Sequence, residues 1–223
     1  MQKGGSALLL VGALGLLVMP ALAEKSRDEK KGEKQEKPVV LHVGDSFVGS
    51  GFAQGLKPRF EALGARYVSI SQTSGYTTTL PRQIGLEEKM KNLKPALVIL
   101  TIGANEMAMP VPEDHAHAAR NLTRIISQAP CIWALPPRWT DKETGFRKIM
   151  EREAPPCRVH DPEEIAAQIP RLADKIHPTL KGGQLWADHF WAWMTRDKPE
   201  GWKPWEEPRP AASASASAGR GSP

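Results

Sequence analysis

The feature that most constrains this chain is a series of short apolar runs, each leaving toward a polar turn. They are Val39–Val43, Tyr67–Ile70, Ala96–Ile102 and Cys131–Leu135, with a weaker fifth at Arg158–His160. Between them lie helix-length stretches: Val48–Leu63, Gln83–Leu93, Glu113–Gln128, Gly145–Glu153, and a last one from Pro178 to about Thr195. Strand and helix alternating at this spacing predict βαβ units, hence an α/β fold: a three-layer α/β/α domain on a parallel sheet of about five strands. Sheets of this kind bind ligands at the carboxyl ends of their strands, so chemistry is to be sought just after each run.

The ends of the 223-residue chain do not share this pattern. Residues 1–23 read as a signal peptide: Lys3 opens it, Ala7 to Met19 is apolar, and Ala21-Leu22-Ala23 is a small-residue cleavage site. The apolar stretch is short for a membrane span, so an exported protein with no stable span after cleavage is expected; a tether by the uncleaved signal is the alternative. Residues 24–37 alternate Lys, Glu, Arg and Asp without a large apolar side chain, which predicts a solvated linker. Residues 197–223, with an Ala-Ser alternation at 211–218, read as a low-complexity tail. One domain over 38–196 remains, with no internal repeat at solenoid spacing.

The formal charge is +5, from 30 basic and 25 acidic residues mixed along the chain. No basic stripe of the kind a nucleic-acid surface needs is present in the sequence. Cys131 and Cys157, the two cysteines, each begin a strand expected to neighbour the other, and the chain is read as bound for an oxidising compartment. They are expected to pair.

Four turns carry polar residues in positions that suit chemistry. The first strand ends in Gly44-Asp45-Ser46 and runs into a helix, where unpaired N–H groups and the dipole favour developing negative charge. Gly44 permits a tight turn there, and Asp45 can brace it by accepting N–H groups. Alone, the tripeptide reads as an ordinary strand-to-helix turn with Ser46 as N-cap. The second strand is followed by Ser71-Gln72-Thr73-Ser74-Gly75-Tyr76, in which Gly75 is either a bare N–H donor or a plain turn glycine. The third ends in Gly103-Ala104-Asn105-Glu106, where Asn105 can aim its amide at an oxyanion or cap a helix. Asp174-Lys175-Ile176-His177-Pro178 places a carboxylate three residues from an imidazole, close enough in a turn to fix its tautomer. Pro178 biases His177 away from helix and suits the first position of the last one.

Taken together, in the order Ser, Gly, Asn, Asp-x-x-His, these blocks resemble those of the SGNH (GDSL-type) hydrolases, over residues 39 to about 193. The resemblance implies a serine esterase without a cofactor or a metal. It makes Ser46 the nucleophile, His177 the general base and acid, and Asp174 its orienter. The N–H groups of Ser46 and Gly75 and the side chain of Asn105 become the oxyanion donors. The expected substrate is a short acyl ester, on a small molecule or a glycan. An acyltransferase on envelope glycans would use the same residues, and a non-catalytic glycan-binding protein would keep the fold.

Other groups are set aside. Glu113-Asp114-His115-x-His117 is read as a solvated helix start, since two His two apart on a helix diverge. His42, His160 and His189 are read as packing residues. Trp186, Phe190 and Trp193 follow helical spacing and are assigned to core. Asn121-Leu122-Thr123 fits a sequon but falls inside a helix. Arg138, Trp139 and Tyr76 either line the rim of the crevice or serve structure. The connections around them are too short for a long apolar lid.

Overall fold

The computed structural model describes residues 36–206. The signal peptide expected at 1–23, the linker expected over 24–37 as far as residue 35, and the expected tail from residue 207 on lie outside the described residues. The described chain runs β1 (Val39–Gly44), α1 (Ala53–Ala62), β2 (Arg66–Ser71), α2 (Leu80–Gln83), α3 (Leu86–Leu93) and β3 (Leu97–Thr101). It continues with α4 (Ala116–Ile126), β4 (Cys131–Ala134), α5 (Phe146–Glu153), β5 (Arg158–His160) and α6 (Leu180–Thr195). The strands form one parallel sheet in the order β2-β1-β3-β4-β5.

Both faces of the sheet are covered, and the strand alternation sorts side chains between them. Leu41, Val43, Val98, Leu100 and Trp133 face a core closed by α3, α4 and α5. Val40, Leu97, Ile99 and Ile132 face a second core built by α1 and α6, with Phe52, Leu56, Trp186 and Phe190. The order reverses direction between β1 and β3, and at such a switch point the loops diverge and leave a crevice. Gly44 of β1 and Thr101 of β3 are register partners there. A Cβ on Gly44 would come within 1.6 Å of the Thr101 carbonyl oxygen, so glycine is required by this close approach.

The helix expected over Val48–Leu63 is broken. Ser50 (φ −83°, ψ 46°) and Gly51 (φ 87°, ψ −21°) leave helical geometry, and α1 starts only at Ala53. The break lets this segment press on α6 backbone to backbone: a Cβ on Gly51 would stand 2.5 Å from Leu180 O, and one on Gly183 2.0 Å from Ser50 O. One turn on, a Cβ on Gly55 would meet the Ala187 Cβ at 2.6 Å. The stretch Gln83–Leu93 likewise splits at Gly85, which has φ 60°. The last helix begins one cap later than expected: Thr179 is its N-cap, accepting the Gly182 N–H at 3.0 Å, so Pro178 precedes the helix.

Packing also extends past Arg196. The chain continues in turns to Glu206, with Trp202 and Trp205 against the α1/α6 core, so the ordered part passes the boundary suggested by composition. Cys131 and Cys157 form a disulfide between the starts of β4 and β5. Among the described residues, no helix is long and apolar enough to cross a membrane.

Candidate active site

The fold brings all four polar turns together at the carboxyl edge of the sheet, each hydrogen-bonded to at least one other. Ser46 follows β1 and opens the helical turn after it, where first-turn N–H groups have no partner within the helix. Asp45 braces this turn from beneath. Its Oδ1 accepts the Phe47 N–H at 2.9 Å and its Oδ2 accepts the Ala104 N–H at 3.2 Å, joining the Ser46 turn to the turn after β3. Burial, with Glu106 nearby, pushes the Asp45 carboxyl up to about 7, while the N–H groups of Phe47 and Ala104 pull the other way.

The corner before α6 carries the imidazole. His177 Nε2 is 2.8 Å from Ser46 Oγ, and His177 Nδ1 is 2.7 Å from Asp174 Oδ2. Asp174 Oδ1 accepts the N–H groups of Ile176 (2.8 Å) and His177 (3.0 Å), so the same carboxylate shapes the turn and holds the ring. Those bonds, the His177 side chain first, hold the Asp174 carboxyl down at about 2. Lys175, with φ 59°, supplies the left-handed step that lets the turn close. The corner is tied at its base by the Leu172 N–H to the His177 carbonyl (2.8 Å) and by the Arg171 guanidinium on the carbonyls of Ile176 and Arg138. Phe47 packs on the His177 ring, with centroids 5.4 Å apart. The His177 and Asp174 side chains are 33% and 42% exposed, so the crevice is open to water.

Asn105 lies in the turn after β3 and donates from Nδ2 to the Gly75 carbonyl at 2.8 Å. A primary amide has two N–H groups, so one remains for another acceptor. Gly75 is brought beside Asn105, but its N–H closes a local turn on the Gln72 carbonyl at 3.1 Å. That N–H is therefore engaged, which corrects the expectation of a bare donor. The Gly75 φ is not left-handed; what selects glycine is the space between Gln72 O and Leu80, 3.1 and 3.4 Å from a would-be Cβ. Such an arrangement can move a proton from a hydroxyl to an imidazole held by a carboxylate, beside amide donors suited to an oxyanion.

The residues set aside from sequence have local explanations. His42 is fully buried beneath the site, with Nδ1 at 2.6 Å from Tyr67 Oη and Nε2 at 2.9 Å from Thr101 Oγ1, and burial pushes it down to about 3. It is a neutral strut between three strands. His160 contacts His189 at 2.9 Å, and His189 reaches Glu164. His115 lies edge-on to Phe146 and His117 is exposed. Trp139 is half-buried, its indole N–H donating to the Ala104 carbonyl at 3.0 Å, which anchors the loop after β4 to the turn that carries Asn105. Arg138, Trp139, Arg171, Leu172 and Lys175 are among the residues that line a groove of about 440 Å³. Sequence reasoning gave no role to Gly51, Gly55 and Gly183; the density of glycine in two helical stretches was the available signal. It also missed Glu106, for which the sequence carried none.

No protein-family model matches the chain, and no curated protein sequence does. Solved structures match its fold. An acetyl xylan esterase, AlAXEase, superposes with a TM-score of 0.57 at 14% identity, over 69% of this chain and 98% of that one. A protein named TesA gives 0.54 at 20% identity, over 69% and 96%. The psychrotrophic esterase EstA from Pseudoalteromonas sp. gives 0.52 at 17% identity, over 70% and 95%. The chain shares the three-layer α/β/α fold of these esterases. Its four blocks occupy the strand ends and the final corner of that fold.

Proposed function

We propose that the protein is an exported esterase that hydrolyses short acyl esters through an acyl-enzyme on Ser46. The observation that carries the reading is the continuous chain Ser46 Oγ, His177 Nε2, His177 Nδ1, Asp174 Oδ2, with contacts of 2.8 and 2.7 Å at the carboxyl edge of the sheet. His177 takes the Ser46 proton as Oγ attacks the ester carbonyl. The Ser46 N–H and the second Asn105 amide hydrogen hold the oxyanion, and the Gly75 N–H contributes only as far as it is shared with Gln72 O. Collapse of the intermediate expels the alcohol with the proton from His177. Water then attacks the acyl-enzyme with His177 as base, releasing the acid and restoring Ser46.

A short acyl group fits the open crevice and the brief connection from Asn105 to the 3₁₀ turn at Pro112–His115, which leaves no room for a lid over a fatty chain. A carbohydrate alcohol is supported by the polar groove beside Trp139, and by the acetyl xylan esterase among the similar folds. Export is supported by the Cys131–Cys157 disulfide, since such bonds persist in oxidising compartments. The test offers aryl esters of two to eight carbons, and acetylated glycans, to the purified protein with Ser46→Ala as control. Rates should fall steeply with acyl length. An octanoate cleaved as fast as the acetate would contradict the short-acyl reading, and release of acid by the Ser46→Ala protein would contradict the nucleophile.

A further inference from the structure

Two buried carboxyl groups flank the proposed donors in sequence: Asp45 precedes Ser46, and Glu106 follows Asn105. Both are fully buried. Asp45 links the Ser46 turn to the turn after β3, as described. Glu106 supplies the next link, its Oε1 accepting the N–H of Thr77 in the loop that carries Gly75. Residues 73–78 are tied to the rest of the described chain by that bond and by the Asn105 amide on the Gly75 carbonyl; the other hydrogen bonds of the segment close turns within the loop and the start of α2. One of the two ties is thus the proposed oxyanion donor itself.

We propose that Glu106 is a positioning residue of the oxyanion site: by holding the Thr77 N–H it fixes the Gly75 loop, so that Asn105 keeps one amide hydrogen on the Gly75 carbonyl and the other toward the crevice. Without the Thr77 tie, the loop hangs on the Asn105 amide alone, and the amide moves with it. A second observation separates this role from simple stabilisation. The Thr77 side chain also lies against the Glu106 carboxyl, so backbone and side chain of the same loop residue meet the same group. Burying a carboxyl costs stability, so an apolar side chain would serve packing alone better. What the carboxyl contributes is acceptors aimed at Thr77. Burial also pushes Glu106 up toward its neutral form, so glutamine, neutral and with the same acceptor, is the conservative replacement.

The inference rests on the Ser46 reading, and the experiment separates the two. Wild type, Glu106→Gln, Glu106→Leu, Asn105→Ala and the Asn105→Ala/Glu106→Leu double variant are compared on an acetate aryl ester, with folding checked by thermal melting. Glu106→Leu should lower kcat on the order of 10²-fold with KM nearly unchanged, the scale of a displaced donor. Glu106→Gln should stay within about threefold of wild type, because it keeps the acceptor. The double variant should be no slower than Asn105→Ala, since Glu106 acts through Asn105. Amide exchange at Thr77, measured on the same proteins, should be faster in Glu106→Leu whether or not turnover is detected. A wild-type kcat in Glu106→Leu, equal losses in both Glu106 variants, or a multiplicative loss in the double variant would overturn the proposal. Absence of turnover in wild type, with Thr77 exchange responding as described, would instead strike the Ser46 reading.

Discussion

Ser46 Oγ and His177 Nε2 meet at 2.8 Å although 131 positions separate them in the chain. Their spacing is set by the crossing just behind them, where the segment after Ser46 and the helix after His177 touch backbone to backbone at Gly51, Leu180 and Gly183. A crossing this close admits no side chain.

That contact predicts the effect of adding one methyl group. Gly183→Ala should lower stability by about 1–3 kcal/mol, the usual cost of overpacking. It should also lower kcat on the order of 10²-fold if the helices part by about an ångström. Thermal melting and steady-state kinetics measure both; a stable variant with normal kcat would show that the crossing does not set the Ser46–His177 distance.

Asn105→Ala should cost on the order of 10²–10³ in kcat with the fold intact, the range for loss of one oxyanion donor. The amide also holds the Gly75 carbonyl, so circular dichroism and melting should accompany the kinetics. A normal kcat would reduce Asn105 to a loop tie.

The parallel sheet, its cover on both faces and the strand ends were legible because they follow from apolar runs and turn residues. So was the Asp174-x-x-His177 corner, a local motif whose bonds all lie within a few residues. The break at Ser50–Gly51 was not legible, because its cause is a neighbour in α6 far along the chain. The engaged N–H of Gly75 was missed for a related reason: glycine announces conformational freedom but not which carbonyl its N–H will meet. Glu106 escaped because burial of a carboxyl is decided by packing, which no local pattern reports.

Asp45 gives a pH dependence with a definite sign. Its carboxyl is raised in the folded protein from 3.8 to about 7, so the folded state holds the proton more tightly than the unfolded state across that interval. Stability from this group therefore falls as pH rises from about 4 to about 7. Asn at position 45 does not titrate, so the destabilisation caused by Asp45→Asn should shrink over the same interval. Urea unfolding of both proteins at several pH values reads this directly; a cost that grows with pH would reverse the assignment.

The Cys131–Cys157 bridge lies at the starts of β4 and β5, on the edge of the sheet opposite the site. Closing a loop of 26 residues contributes about 3–4 kcal/mol on the chain-entropy estimate. Reduction, or a double change to alanine, should lower the melting temperature while leaving kcat unchanged below it. Unaltered stability after reduction, or a loss of kcat in the folded reduced protein, would contradict this division.

The central claim, that Ser46 is a nucleophile activated by His177, is tested most directly by treating the protein with a fluorophosphonate and locating the adduct by peptide mass spectrometry. The account predicts one adduct, on the peptide containing Ser46, formed in wild type and slowed by orders of magnitude in His177→Ala. No adduct on Ser46, or an adduct formed equally fast in His177→Ala, would contradict it.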